Sequence, residues 1–371
     1  MTAGVYLHIP FCKSRCSYCD FATDVYQNAE SVQRYVEALC REIETFNDPL
    51  PVDTVYFGGG TPSLLEPKQV EQILETVKEN FFVDPGSEIT MEMNPATVTP
   101  DSLKAYRSLG VNRASFGVQT FDDTELKRLA RGHNAQDARD TFQMLRNAGF
   151  ENISFDLIAG LPRQTLADWE RNLDEAISMR PEHLSLYLLE IHEGTPLAEQ
   201  VRSGRQPRSD EDAAAEMYEL MLDKTAAGGY QQYEISNFAQ AGFESRHNAK
   251  YWLLDPVYGF GVSAHSFDGR ERYANERSTD AYERLVEKLG SAEVMREEIN
   301  AASEFAFLGL RLNEGISIKE YEDRFGNSLV ASHREEIERL REAELIRLID
   351  GRLMLTRRGM LFSNEVFAAF V

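Results

Sequence analysis

The stretch Tyr6-Leu7-His8-Ile9-Pro10-Phe11-Cys12-Lys13-Ser14-Arg15-Cys16-Ser17-Tyr18-Cys19-Asp20-Phe21 decides how this chain is read. It holds three of the four cysteines, Cys12, Cys16 and Cys19, at the spacing C-x3-C-x2-C. Three thiolates on one loop can bind three irons of a [4Fe–4S] cluster. Such a cluster normally takes four cysteines, so a fourth iron is left to another ligand. Lys13 and Arg15 would offset the negative charge of cluster and thiolates. Two alternatives stay open: a structural zinc site closed by His8 or Asp20, and packed thiols without metal. The fourth cysteine, Cys40, falls on the apolar face of a predicted helix and reads as core.

Working outward, short apolar strands alternate with amphipathic helices. Strands are predicted at Val5–Ile9, Thr54–Phe57, Ile89–Met93, Ala114–Val118, Ile153–Ile158 and Leu184–Leu189. Helices are predicted at Ser31–Phe46, Pro67–Asn80, Pro100–Leu109, from Leu126 on to Ala148 with a break at Gly132, and at Thr165–Met179. Six strands alternating with helices predict a parallel α/β sheet, either doubly wound or curled into part of a barrel. The polar and glycine-rich segments follow the strands: the cysteine loop, Gly58-Gly59-Gly60-Thr61-Pro62, Asn94-Pro95 and Gly160-Leu161-Pro162. That is the carboxyl-end rim, where both architectures place their sites.

Beyond Gly194 the alternation stops. A helix is predicted at Asp210–Ala227, a turn-rich aromatic stretch at Gly228–Tyr273, and a mainly helical region from Ser278. Near the end, Leu345–Leu348 and Leu353–Thr356 flank Asp350-Gly351, a hairpin signal that suggests a winged helix. The expected division is residues 1–230 and 231–371.

The chain has 371 residues with a formal charge of −22. Residues 301–371 carry 10 Lys or Arg against 12 Asp or Glu. Both balances argue against a nucleic-acid partner. No apolar run approaches the ~20 residues that span a bilayer. The N-terminus lacks a basic segment followed by an apolar one, so no signal peptide is read. Clustered cysteines without a secretion signal point to a reducing cytoplasm.

On the rim, Gly59, Gly60 and Thr61 lack bulk and expose backbone groups to a ligand. The P-loop lysine is missing, so a nucleoside triphosphate is not expected. Glu92 is the odd carboxylate of an apolar strand, and Asp156 lies within Ile153-Ser154-Phe155-Asp156-Leu157-Ile158. A carboxylate inside an apolar strand implies a fixed partner or a function. Gln119 ends the fourth strand, and Arg131 sits in a turn between helices. His133 and His183 read as surface or core.

These motifs resemble the radical S-adenosylmethionine (SAM) superfamily, through C-x3-C-x2-C after the first strand. Tyr6–Phe11, Gly58–Pro62, Ser115–Phe121, Asp156–Pro162 and His247-Asn248-Ala249-Lys250-Tyr251-Trp252 further resemble the oxygen-independent coproporphyrinogen III oxidase group. Within that group they are most similar to the HemW-type heme chaperones, over essentially the whole chain. The resemblance implies a partial (β/α)6 radical SAM barrel with a mainly helical C-terminal domain ending in a winged-helix-like hairpin. It implies a [4Fe–4S] cluster on Cys12, Cys16 and Cys19, with SAM on its open iron. Tyr6, Tyr18, Gly59, Gly60, Thr61, Glu92, Gln119, Arg131 and Asp156 are the implied SAM contacts.

It further implies heme as cargo, handed to an acceptor protein not identified by the sequence. A homodimer is left open. His247 is the implied heme ligand, since imidazole is a standard axial ligand, with Tyr251 and Trp252 packing on the porphyrin. His265 is a second candidate. The other reading of His247 is a buried histidine in an aromatic second layer. The oxidase, the alternative function, is a radical SAM enzyme that turns propionates into vinyl groups. Its motif has one more cysteine two residues past the third, where this chain has Phe21.

Overall fold

The computed structural model describes residues 2–47 and 50–371. Its first half is the expected alternation: β1 (Ala3–Ile9), α1 (Ala29–Glu44), β2 (Val52–Gly59), α2 (Pro67–Asn80), β3 (Val83–Met93), α3 (Pro100–Leu109), β4 (Arg113–Gln119), α4 (Asp123–Arg128), α5 (Ala135–Asn147), β5 (Ile153–Ala159), α6 (Leu166–Met179) and β6 (His183–Leu188). Local signals set several helix starts. The Asn28 side chain accepts from Ser31 N at α1, and capping boxes pair Thr99 with Ser102, Asn134 with Asp137 and Thr165 with Asp168. The strands β1 to β6 run parallel in chain order. β4 is buried along its whole length, as expected where helices cover one face of a parallel sheet and the lumen closes over the other.

The chain goes on with α7 (Pro196–Arg202), α8 (Glu211–Ala227), β7 (Gln231–Glu234), β8 (Asn237–Ala239), α9 (Arg246–Leu253), β9 (Val257–Phe260), β10 (His265–Phe267), β11 (Glu271–Asn275), α10 (Thr279–Leu289) and β12 (Glu293–Glu298). The stretch expected to be turns thus carries strands, and all of them join the same sheet. Its order is β12-β11-β10-β9-β1-β2-β3-β4-β5-β6-β8-β7. β9 adds a seventh parallel strand beside β1, and β8 pairs antiparallel with β6. These strands are too short to show a period, so only long-range pairing reveals them. The sheet crosses the expected division at residue 230. We propose that its unit extends to Glu298 and that a second unit follows.

That second unit holds α11 (Ala301–Gly309), β13 (Ile316–Ser317), α12 (Ile318–Phe325), α13 (Leu329–Ser332), α14 (Arg334–Glu342), the hairpin β14 (Ile346–Ile349) and β15 (Arg352–Leu355), α15 (Arg357–Leu361) and α16 (Ser363–Phe367). Asp350 and Gly351 both have positive φ, 49° and 75°, the backbone of a type I′ turn. β13 pairs with β15, which completes the expected winged arrangement. One apolar core runs through both units, from Val5 and Phe57 to Leu353 and Phe370. Cys40 is part of it.

Candidate functional site

Alternation along the strands divides their side chains between two environments. Val5, Leu7, Val55 and Phe57 join the core under the helices. Tyr6, His8, Thr54, Tyr56, Glu92 and Asp156 take the other face, which lines the barrel lumen. The lumen is therefore polar, and some of its polar groups are paired with one another, as Tyr56 is with Glu92 and Ser115 with Asp156.

At the carboxyl-end rim the cysteine loop is tied down from several sides. Ser17 N donates to Leu129 O at 2.9 Å, and Leu197 N donates to Ser17 O at 2.7 Å. Thr61 Oγ1 donates to Cys12 Sγ at 3.5 Å. Arg131 Nη1 donates to Cys16 Sγ at 3.5 Å and to Tyr18 OH at 3.4 Å. Its Nη2 donates to Asn94 Oδ1 and to Gly117 O, both at 2.7 Å. Asn94 in turn donates to Thr61 Oγ1 at 2.7 Å. Arg131 thus puts a half-buried cation beside the thiols. All four cysteines are free. Burial pushes the thiols of Cys12 and Cys19 up, Cys19 to about 11, so the loop would hold thiolates only against a strong counter-charge such as iron.

Gly60 is a spatial requirement. A Cβ on Gly60 would lie 2.7 Å from Pro10 O and 2.8 Å from Phe11 O. The strand end at β2 and the cysteine loop can lie together only without side chains there.

Below the rim, Glu92 accepts from Tyr56 OH at 2.8 Å and from Gly59 N at 3.1 Å. Burial raises its pKa to about 7, helped by the neighbouring Asp156 carboxylate and opposed by its two hydrogen bonds. Asp156 accepts from Ser115 Oγ at 3.2 Å, and burial raises its pKa while Arg113 opposes the rise. Gln119 closes β4 with φ 65°. Tyr18 packs against the small apolar cluster of Leu129, Ile158 and Leu161. The structure thus brings Cys12, Cys16, Thr61, Tyr18 and Arg131 into direct contact. Gly59, Glu92, Tyr56 and Asp156 lie in the adjoining lumen.

Among the described residues no group of three or more Cys, His, Asp or Glu is placed to hold one metal ion. Of the fourth ligands of the zinc alternative, His8 is engaged elsewhere. His8 Nε2 donates to Ala22 O at 2.9 Å while Nδ1 faces Tyr6 OH at 3.1 Å. Asp20 lies 3.6 Å from His192.

His247 lies away from the cysteine loop. Helix α9 plugs the opposite, amino-terminal end of the barrel. Glu88 accepts from the backbone N–H of Arg246 and His247, and Lys250 Nζ lies 2.7 Å from Asp53 Oδ1. A Cβ on Gly4 would meet Thr54 Oγ1 at 2.8 Å and His247 Nδ1 at 3.1 Å, so the helix sits directly on β1. His247 Nδ1 is bonded to Thr54 Oγ1 at 2.9 Å and Nε2 to Tyr251 OH at 3.2 Å. Its ring stacks on Tyr56 at 4.9 Å and lies 6.4 Å from Tyr6. Burial lowers its pKa to about 3, so it stays neutral. Both ring nitrogens have partners within the protein. Tyr251 meets the His247 ring edge-on, and Trp252 lies under the Arg311 guanidinium at 4.2 Å, facing the C-terminal unit. His265 is exposed at the far end of the sheet. His133 and His183 are both buried.

Asn94, Tyr56 and Arg113 were not singled out by the sequence as ligand-facing. Tyr56 and Arg113 could have been found by counting alternate strand positions, and Asn94 by its place before Pro95 on the rim.

A parallel half-barrel with three cysteines at its carboxyl-end rim is the architecture of radical SAM proteins. The Radical SAM superfamily model matches residues 6–176, and the HemN C-terminal domain model matches residues 297–362. The chain is 38% identical to "Heme chaperone HemW" of Bacillus subtilis over 99% of both chains. It is 35% identical to "Heme chaperone HemW" of Lactococcus lactis over 99% of this chain and 97% of that one. This chain belongs to the HemW family. The solved structure of the Escherichia coli coproporphyrinogen III oxidase HemN superposes with a TM-score of 0.87 at 23% identity, covering 100% of this chain and 90% of that one, a likeness of fold.

Proposed function

We propose that this protein is a heme chaperone: it carries a [4Fe–4S] cluster and SAM, binds heme and passes it to an acceptor protein. The full-length similarity to proteins of that name carries the reading. Cys12, Cys16 and Cys19 would hold the cluster. Thr61 and Arg131 stabilise their sulfurs, and Tyr18 closes the loop from below. Gly59 and Gly60 let the ligand approach the backbone, Glu92 and Asp156 face its cationic groups, and Gln119 borders the same space. With SAM bound, such a cluster supplies one-electron chemistry. The residues fit that pair because three thiols share one rim loop, a half-buried cation lies beside it, and two carboxylates lie just below in the lumen. Reduced thiols are consistent with a cytoplasmic setting. No described helix is long and apolar enough to cross a membrane.

A paired anaerobic assay tests the reading. Reconstituted protein is offered heme in one arm, and coproporphyrinogen III with SAM and a reductant in the other. A stable heme adduct without protoporphyrinogen is expected. Product without adduct would make it an oxidase. Alanine at Cys12, Cys16 or Cys19 should abolish the brown iron–sulfur absorption. Colour and bound iron surviving all three changes would remove the cluster from this loop.

A further inference from the structure

Arg113 of β4 is 1% exposed. Its Nε and Nη1 are buried with no hydrogen-bond partner, and among the described residues it makes no ion pair. A guanidinium stays charged at any ordinary pH, and a buried charge without a counter-charge is costly. On the lumen face Arg113 pairs across the sheet with Thr90, and the next lumen pair along the same two strands is Ser115 with Glu92. Ser115 Oγ donates to Asp156. Arg113 therefore sits one layer below the two carboxylates. Neighbouring strands lie about 5 Å apart and a layer is about 7 Å deep, so the guanidinium acts on both carboxylates without touching either. It opposes the rise in pKa of each.

The other titratable groups that face the pair add no such charge. Tyr6, Tyr56, Tyr187 and Tyr251 are phenols whose pKa burial raises. The Cys12 thiol is likewise pushed up. Arg131 faces Asp156 from the rim, where its Nη groups are taken by Asn94, Gly117 and the cysteine loop. His183 and His247, which also feel Arg113, are held neutral by burial.

We propose that Arg113 is a positioning residue of the SAM site: its guanidinium is the fixed counter-charge that keeps Glu92 and Asp156 ionised side by side, ready for the cationic groups of SAM. The inference rests on the reading of the rim as a SAM site. Two carboxylates in one lumen repel each other, and one of them tends to take a proton. Without Arg113 that proton is held to higher pH, and SAM binding moves to higher pH with it.

The test is equilibrium dialysis of SAM against full-length, anaerobically reconstituted protein from pH 5 to pH 9. In Arg113→Met the midpoint of the binding profile should move up by about one pH unit or more, with affinity kept on the alkaline plateau. Arg113→Lys, which retains a charge, should return the midpoint toward the wild-type value. A role in folding alone would weaken binding at every pH and leave the midpoint in place. That result overturns the proposal, as does an unchanged profile. If Arg113→Met does not fold, the wild-type chain decides. Carbon-13 NMR of its labelled Asp and Glu carboxyl groups, assigned with Glu92→Gln and Asp156→Asn, should show the pair holding at most one proton at pH 6. Two protons there would mean that no counter-charge reaches them. A wild-type chain that binds no SAM at any pH overturns the SAM reading and leaves the carboxyl titration to decide the counter-charge.

Discussion

Glu92 shows how one residue is tuned by what surrounds it. Two donors, Tyr56 OH and Gly59 N, hold the carboxylate, while burial and Asp156 bring its pKa to about 7. Because that value is raised, the charged form is lost as pH falls through about 7. A cationic ligand group needs the charged form. SAM affinity should therefore weaken between pH 8 and pH 6. Glu92→Gln should bind SAM at least tenfold more weakly at pH 8 with little pH dependence, measured by equilibrium dialysis. A variant with the wild-type profile would take Glu92 out of the site. At His247 the expectation is structural. His247→Ala leaves a cavity and strips Thr54 and Tyr251 of partners, costing about 2–4 kcal/mol in denaturant unfolding. The spectrum of bound heme iron should not change, and a changed axial-ligand signature would restore the ligand role.

Elements meet at a buried ion pair between β7 and the end of α11. Glu234 is fully buried, Arg311 Nη2 lies 3.4 Å from it, and the same guanidinium covers Trp252 of α9. Ser236 N donates to Glu234 at 3.0 Å, and Asn237 donates to it as well. This pair locks the second unit onto the sheet and onto the helix that plugs the barrel. Arg311→Met leaves a buried carboxylate without its cation and should cost about 3 kcal/mol. The double variant Arg311→Met with Glu234→Gln should recover more than half of that loss in a thermal or urea melt. Additive losses would mean that the two residues do not act as a pair.

Across the whole molecule, Glu42 of α1 joins the start of the chain to its later half. It accepts from Gly261 N at 2.8 Å, Asn275 Nδ2 at 2.6 Å and Tyr282 OH at 2.7 Å. Burial raises its pKa from 4.5 to about 7 against those three bonds. Between those pH values the folded chain holds more protons than the unfolded one. Its contribution to stability is thus fully present below about pH 4.5, is lost as pH rises through about 7, and changes little beyond. Glu42→Gln removes the titration. The stability difference between wild type and variant should drift by about 3 kcal/mol from pH 5 to pH 8, whatever constant offset the amide introduces. A difference that does not vary with pH would mean that Glu42 titrates normally.

The cysteine loop, the six βα repeats and the Asp350-Gly351 hairpin were legible in the sequence because each is a local signal: spacing, periodicity or turn chemistry. The carboxylates of Glu92 and Asp156 were visible for the same reason, as charges in apolar strands. Long-range pairing was not legible. Strands of three to five residues such as β8, β9 and β11 carry too little pattern to announce themselves, and only hydrogen bonds to β6, to β1 and to β10 and β12 respectively make them part of the sheet. His247 makes the same point at one residue. Its neighbours in sequence suggest a porphyrin face, but Thr54, Tyr56 and Glu88, about 160 to 190 positions away in the chain, turn it into a plug at the closed end of the barrel. Sequence by itself determined the chemistry gathered at the rim. Tertiary structure decided which side chains face that chemistry, because burial and partner choice are set by contacts between distant parts of the chain.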